Sequence, residues 1–234
     1  MIDLLINNRG NIMLFVEILA AVTGLLLYNK YKHTAAKYFI YFLVYTVIIV
    51  VLGRYTFYIK NDGILSFLDG TVLERNYWWY TLFWKIAAST FFGFYYSKIL
   101  VNKVLKKILK FSVFFFLFIS IVIILFNLPL YFTNIIPSVS ILSALIIFQC
   151  VFFYFLEILQ SDKILSFYTS LNFYISVAIL LFWLIKTPLS FFEPYYTKID
   201  EDYVHLRSCI NLVIISFMYI TYIIGLIVSK PEYD

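Results

Sequence analysis

Three charged residues interrupt otherwise apolar stretches of this sequence: Glu17, Arg54 and Lys85. A charge in hydrocarbon costs about 2.5–3.5 kcal/mol on insertion scales, so such side chains turn toward the protein interior and find partners. One acid and two bases allow three chemistries: an ion pair locking helices together, a pocket recognising a polar or anionic ligand, or a proton or ion relay. At 1.5 Å per residue they lie ~11 Å (Glu17), ~5 Å (Arg54) and ~12 Å (Lys85) from the same end of their stretches. Glu17 and Lys85 are therefore matched in depth, and Arg54 stands above them.

Other residues could join that chemistry. Lys85 is flanked by Trp78, Trp79, Phe83 and Trp84. Such aromatics serve as interface anchors or, less often, as a cage for cations. Trp84, Gln149 and Asn172 are candidates for lining a pocket. Ser140, Ser143, Ser170 and Ser176 suit hydrogen bonds between helices, each worth about 0.6 kcal/mol in membranes.

Several activities lack their residues. The histidines, His33 and His205, fall in separate polar breaks, and the cysteines, Cys150 and Cys209, form no CxxC pattern, so neither zinc nor haem ligation is indicated. There is no acidic pair for a metal–diphosphate, no Gly-x-Ser-x-Gly, and no Lys in the last apolar stretch for a retinal Schiff base. The expectation is a non-enzyme with no cofactor and no metal.

The elements that must position these residues are helices in a bilayer. The chain of 234 residues is 63% hydrophobic and 13% charged, against about a quarter charged in soluble domains. Runs such as Phe111–Leu128 are apolar on every side, which excludes the alternation of a β-barrel. Seven stretches, about 10–28, 38–57, 77–97, 111–128, 135–156, 164–185 and 207–228, each match ~30 Å of hydrocarbon. The predicted fold is all-α: a polytopic seven-transmembrane-helix bundle forming a single domain over 1–234.

Orientation follows from lysine and arginine in short loops. One side collects ten cations (Lys30, Lys32, Lys37, Lys98, Lys103, Lys106, Lys107, Lys110, Lys163, Lys230) and four acids. The other has six cations and eight acids, among them Asp69, Glu74 and Asp200–Asp202. The first side is expected to be cytoplasmic, with the N-terminus outside and the C-terminus inside. Richness in Phe, Ile, Tyr, Lys and Asn points to an AT-rich, bacterial genome, hence the inner membrane.

The loops differ in kind. Asp200–Asp202 suit the start of the seventh helix, where free N–H groups favour negative charge. The aromatic stretch Phe191–Tyr196 is expected at the membrane interface, or as a lid over an outer pocket. Segment 101–110 reads as an amphipathic helix lying along the inner surface: Val101, Val104, Leu105 and Ile108 share one face, and Lys103, Lys106, Lys107 and Lys110 the other. Those lysines suit anionic lipid or a separate cytoplasmic signalling protein. The basic patch is too small for nucleic acid.

Asn11–Ala21 and Asn134–Ala144 share Asn, Ile, Val, Ile, Leu and Ala in register, which would fit a three-plus-one-plus-three repeat. In topology the chain is similar to seven-helix sensory modules that bacteria couple to kinases, and also to small sugar-type transporters of three-plus-one-plus-three helices. The expected function is a receptor-like sensory membrane component. The alternatives are a small-solute transporter or a structural subunit of a membrane complex.

Overall fold

The computed structural model describes residues 8–59, 63–192 and 201–232. The described residues are helical, joined by short turns, with one isolated bridge between Ser170 and Lys230. Helix α1 is Arg9–Leu26 and α2 is Ala36–Gly53, which runs on as a 3-10 turn, Arg54–Tyr58. A third helical run, α3, has three parts: Tyr77–Trp79, a π-helical segment Tyr80–Ile86, and Ala87–Ile99. Then come α4 (Lys103–Phe126), α5 (Pro137–Leu159), α6 (Leu171–Phe192) and α7 (Glu201–Val228). Among the described residues six helices are long and apolar enough to cross a membrane, all but α3.

Sequence signals explain most of the ends. Pro137 opens α5, where its missing N–H costs nothing. Asn102 caps α4, its Oδ1 accepting from the Val104 and Leu105 amides at 2.8 and 3.3 Å. Glu157, on α5, reinforces that cap by accepting from the Val101 and Asn102 amides at 2.8 and 2.7 Å. At the far end of α7, Lys30 Nζ donates to the Leu226 and Ile227 carbonyls, both at 3.1 Å, a cation where the helix dipole favours one.

Two expectations are corrected here. Segment 101–110 does not lie along the surface as a separate helix: from Lys103 it is the first part of α4. Val101, Val104 and Ile108 are exposed and Leu109 is buried. The capped start sends the chain straight on into the apolar stretch, so Lys103, Lys106, Lys107 and Lys110 sit on its opening turns. The sixth helix is also displaced. It begins at Leu171, not near 164, because Ser161 and Thr169 turn their hydroxyls onto the Ile158 and Ser166 carbonyls and hold 3-10 turns there. It continues past Lys186 and through Pro188.

Helix α1 packs on α2 and α7, α7 on α6, α6 on α5, and α5 on α3 and α4, with α3 also against α2 and α4. The result is a ring of six with α4 outside it. Phe39, Tyr95, Tyr96 and Tyr222 fill the centre. Phe39 meets Tyr222 edge-on at 4.9 Å, and Phe42 stacks on Phe91 at 4.1 Å. The outside is apolar: on α4, Phe111 is 69% and Phe126 85% exposed. A soluble monomer does not leave so continuous a belt open to water, so these faces belong to lipid. The chain is an all-helical, multi-pass membrane protein.

Candidate functional site

One end of the bundle encloses a cavity of about 700 Å³. It is walled by the start of α1 (Arg9, Gly10, Asn11, Glu17), the end of α2 (Gly53, Arg54) and the first turns of α3 (Tyr77, Tyr80, Trp84, Lys85). Ser140 of α5, Phe182, Trp183 and Lys186 of α6, and Met218 and Tyr219 of α7 complete it. Glu17, Arg54, Lys85 and Trp84, chosen from sequence, therefore share one space. Gln149 and Asn172 are elsewhere. Gln149 borders an apolar groove with Phe111, Phe115 and Phe152. Asn172 borders a second cavity, of about 760 Å³, at the opposite end.

Arg54, Lys85 and Lys186 are each held by a neighbouring helix. Arg54 donates through Nη1 to Asn11 Oδ1 at 3.1 Å and through Nη2 to the Gly10 carbonyl, fixing the guanidinium over the start of α1. Lys85 Nζ donates to Ser140 Oγ at 2.6 Å, and Lys186 Nζ to Asn211 Oδ1 at 2.6 Å. Glu17 is only 5% exposed, and its Oε2 has no hydrogen-bond partner. Among the described residues the wall of this cavity carries Arg9, Arg54, Lys85 and Lys186 together with the carboxyl of Glu17. Trp84 stacks on Trp183 at 6.0 Å and meets Phe182 edge-on at 5.3 Å, giving the cavity an aromatic wall.

The shape of the cavity depends on local backbone. Gly53 has no side chain because Tyr80 fills its place: a Cβ there would stand 2.9 Å from the Tyr80 hydroxyl. Asn76 Nδ2 donates to the Gly53 carbonyl at 2.8 Å, closing the end of α2. The neighbouring tryptophans pin α3 to α2: Trp78 Nε1 donates to Tyr55 Oη at 3.1 Å and Trp79 Nε1 to the Ile49 carbonyl at 3.0 Å. The π segment carries Lys85 and Trp84 into the cavity. Tyr45 of α2 donates to the Phe83 carbonyl within it at 2.7 Å. Short π segments inside α-helices are frequent at functional sites.

Beneath the cavity the bundle is closed. Tyr219, which lines the cavity, is buried, as are Phe39, Tyr95, Tyr96 and Tyr222 toward the centre. Tyr95 donates to Asn172 Oδ1 at 2.5 Å, and Tyr96 pairs with Ser176 Oγ at 2.6 Å. Asn172 and Ser176 thus make the helix-to-helix bonds expected of polar residues in apolar spans. The second cavity is polar, lined by Lys98, Lys106, Glu157, Asn172 and Glu232 among others. Asn172 Nδ2 donates to Glu232 Oε2 at 3.4 Å there.

Lys186, Arg9 and Trp183 are among the members of the first cavity that the sequence does not single out. Lys186 looked like the start of a loop because Pro188 follows it. Arg9 stood at a predicted helix end, and Trp183 was one aromatic among many. The aromatic stretch Phe191–Tyr196 and the acids Asp200–Asp202 lie, as side chains, outside the described residues. Among the described residues no group of His, Cys, Asp and Glu is assembled to hold a metal ion. Comparison with family models, curated proteins and solved structures finds no match.

Proposed function

We propose that the chain is a receptor-like sensory component of a bacterial inner membrane, with its first cavity facing outward and its lysine-rich end facing the cytoplasm. In this reading α3 is a seventh crossing. Its support is that Tyr77–Lys85 border one cavity while Lys98 and Ile99 border the other. An odd number of crossings puts the two termini on opposite sides, and the ten cations of the inner loops favour the N-terminus outside. A small anionic molecule enters the outer cavity. The change it makes passes through the Tyr95–Asn172 and Tyr96–Ser176 contacts to the inner face, where Lys103, Lys106, Lys107 and Lys110 meet anionic lipid and a separate signalling protein.

The observation that carries this reading is that Glu17, Arg54 and Lys85, charges set within apolar stretches, line one cavity of about 700 Å³ together with Trp84 and Trp183. A transporter is the second reading, and the polar cavity at the other end favours it. The test uses 3-phenylpropionate as an anionic aromatic probe on purified protein in lipid nanodiscs. Sensing expects saturable quenching of tryptophan fluorescence, weakened about tenfold in Lys85→Gln by loss of one charged contact. It also expects no uptake of labelled probe by proteoliposomes. Uptake decides for transport, and the lack of saturable binding removes both readings.

A further inference from the structure

We infer that the chain pairs with a second copy of itself along the groove between α4 and α5, with Gln149 of each copy hydrogen-bonded to the other across a two-fold axis. The groove, of about 650 Å³, is walled by Phe111 and Phe115 of α4 and by Leu142, Leu145, Gln149 and Phe152 of α5, among others. Gln149 stands midway along α5, twelve residues from Pro137 and ten from Leu159. At 1.5 Å per residue it lies ~18 and ~15 Å from the helix ends, too deep for its carboxamide to reach either headgroup region. It is partly exposed on the groove, and among the described residues no hydrogen bond reaches its side chain. A carboxamide left in hydrocarbon without a partner is costly, and in membranes such groups bond across helices.

Helix α5 has two faces. Ser143, Ile147, Cys150, Tyr154 and Ile158 are buried against the bundle. Leu142, Leu145, Gln149, Phe152, Leu156 and Leu159 follow one another at alternating steps of three and four residues, and none of them is buried. Leu145 is 56%, Phe152 59% and Leu159 65% exposed. Apolar residues at that spacing form the seam of a helix pair, and one polar residue within the seam fixes its register. Helix pairs in membranes commonly cross with the same geometry. An acyl chain fills such a groove and leaves the amide unbonded. A second copy does both jobs, because a carboxamide carries donors and an acceptor, and two of them facing each other exchange N–H···O bonds. The axis runs along the membrane normal, since both copies insert in the same sense.

The experiment reconstitutes the full-length protein in phosphatidylglycerol–phosphatidylcholine vesicles and follows energy transfer between donor- and acceptor-labelled copies as lipid is added. The labels sit on Thr71→Cys in a background lacking Cys150 and Cys209. Transfer above the level of random proximity is expected, and Gln149→Leu should weaken association about tenfold, the loss of two interhelical hydrogen bonds. Gln149→Asn, which keeps the amide on a shorter arm, should restore part of it. With Gln149 intact, Leu145→Cys and Phe152→Cys should each crosslink to the same position of the second copy under copper phenanthroline. Val213→Cys, exposed on α7, should not. Transfer no greater than chance at every protein-to-lipid ratio overturns the inference and leaves the groove to lipid. Association that Gln149→Leu does not move, or crosslinking through Val213→Cys in place of the α5 positions, overturns it equally by placing the contact on another face. If Gln149→Leu does not insert, the two α5 crosslinks decide alone.

Discussion

Tyr31 shows how much one side chain can hold at the end opposite the first cavity. Its hydroxyl donates to the Leu226 carbonyl at 2.8 Å and lies 3.1 Å from the Ser229 carbonyl, closing the last turn of α7. Burial pushes its pKa up to about 12. The folded state thus keeps the proton that the unfolded chain releases near pH 10. Stability from this group is complete below pH 10 and is lost as pH rises from 10 toward 12. The unfolding midpoint in detergent should be flat from pH 8 to 9.5 and fall above 10. Tyr31→Phe should lower the baseline by about 1 kcal/mol and flatten that fall. Nothing in the sequence singles out Tyr31 among 21 tyrosines. Glu17, Arg54 and Lys85 were legible because a charge inside an apolar run has few ways to be harmless. Lys186 was not, because a charge near the end of a run reads as a loop.

Helices were legible to the extent that their ends carry chemistry. The apolar runs identified α1, α2, α4, α5, α6 and α7, and Pro137 marked the start of α5. Where a polar segment bonded to its own backbone, as at Ser161 and Thr169, the start of α6 moved by seven residues relative to the hydrophobic pattern. The long-range cap of α4 was invisible, since Glu157 belongs to α5 and meets Val101 and Asn102 only in the folded bundle. Glu157→Gln should therefore destabilise the protein by about 1–2 kcal/mol, the cost of weakening a charged cap. A thermal unfolding series should show it, and Glu157→Asp should recover less than half because the shorter arm loses one of the two amides. An unchanged midpoint in Glu157→Gln would mean that Asn102 alone suffices.

At the scale of the whole molecule, what composition revealed was the solvent, and what it hid was the arrangement of the ring. Hydropathy counts helices without saying that α4 stands outside while α1 closes on α7. It also cannot show the π segment that divides α3. Topology is checked with single cysteines in a background lacking Cys150 and Cys209. A membrane-impermeant maleimide should label Thr71→Cys in intact cells and Lys107→Cys only after permeabilisation. The reverse pattern would invert the orientation, and labelling of both from one side would mean that 77–99 does not cross. The contact between α1 and α7 also sets a schedule for biogenesis. Glu17 enters the membrane with the first helix, but one wall of its cavity is the last described helix. At synthesis rates of about 5–20 residues per second, a buried carboxyl waits roughly 10–40 s for α7 to be made. Over that interval the insertion machinery, not the protein, must shelter it, and a chain interrupted before α7 exposes that carboxyl to lipid and to quality-control proteases.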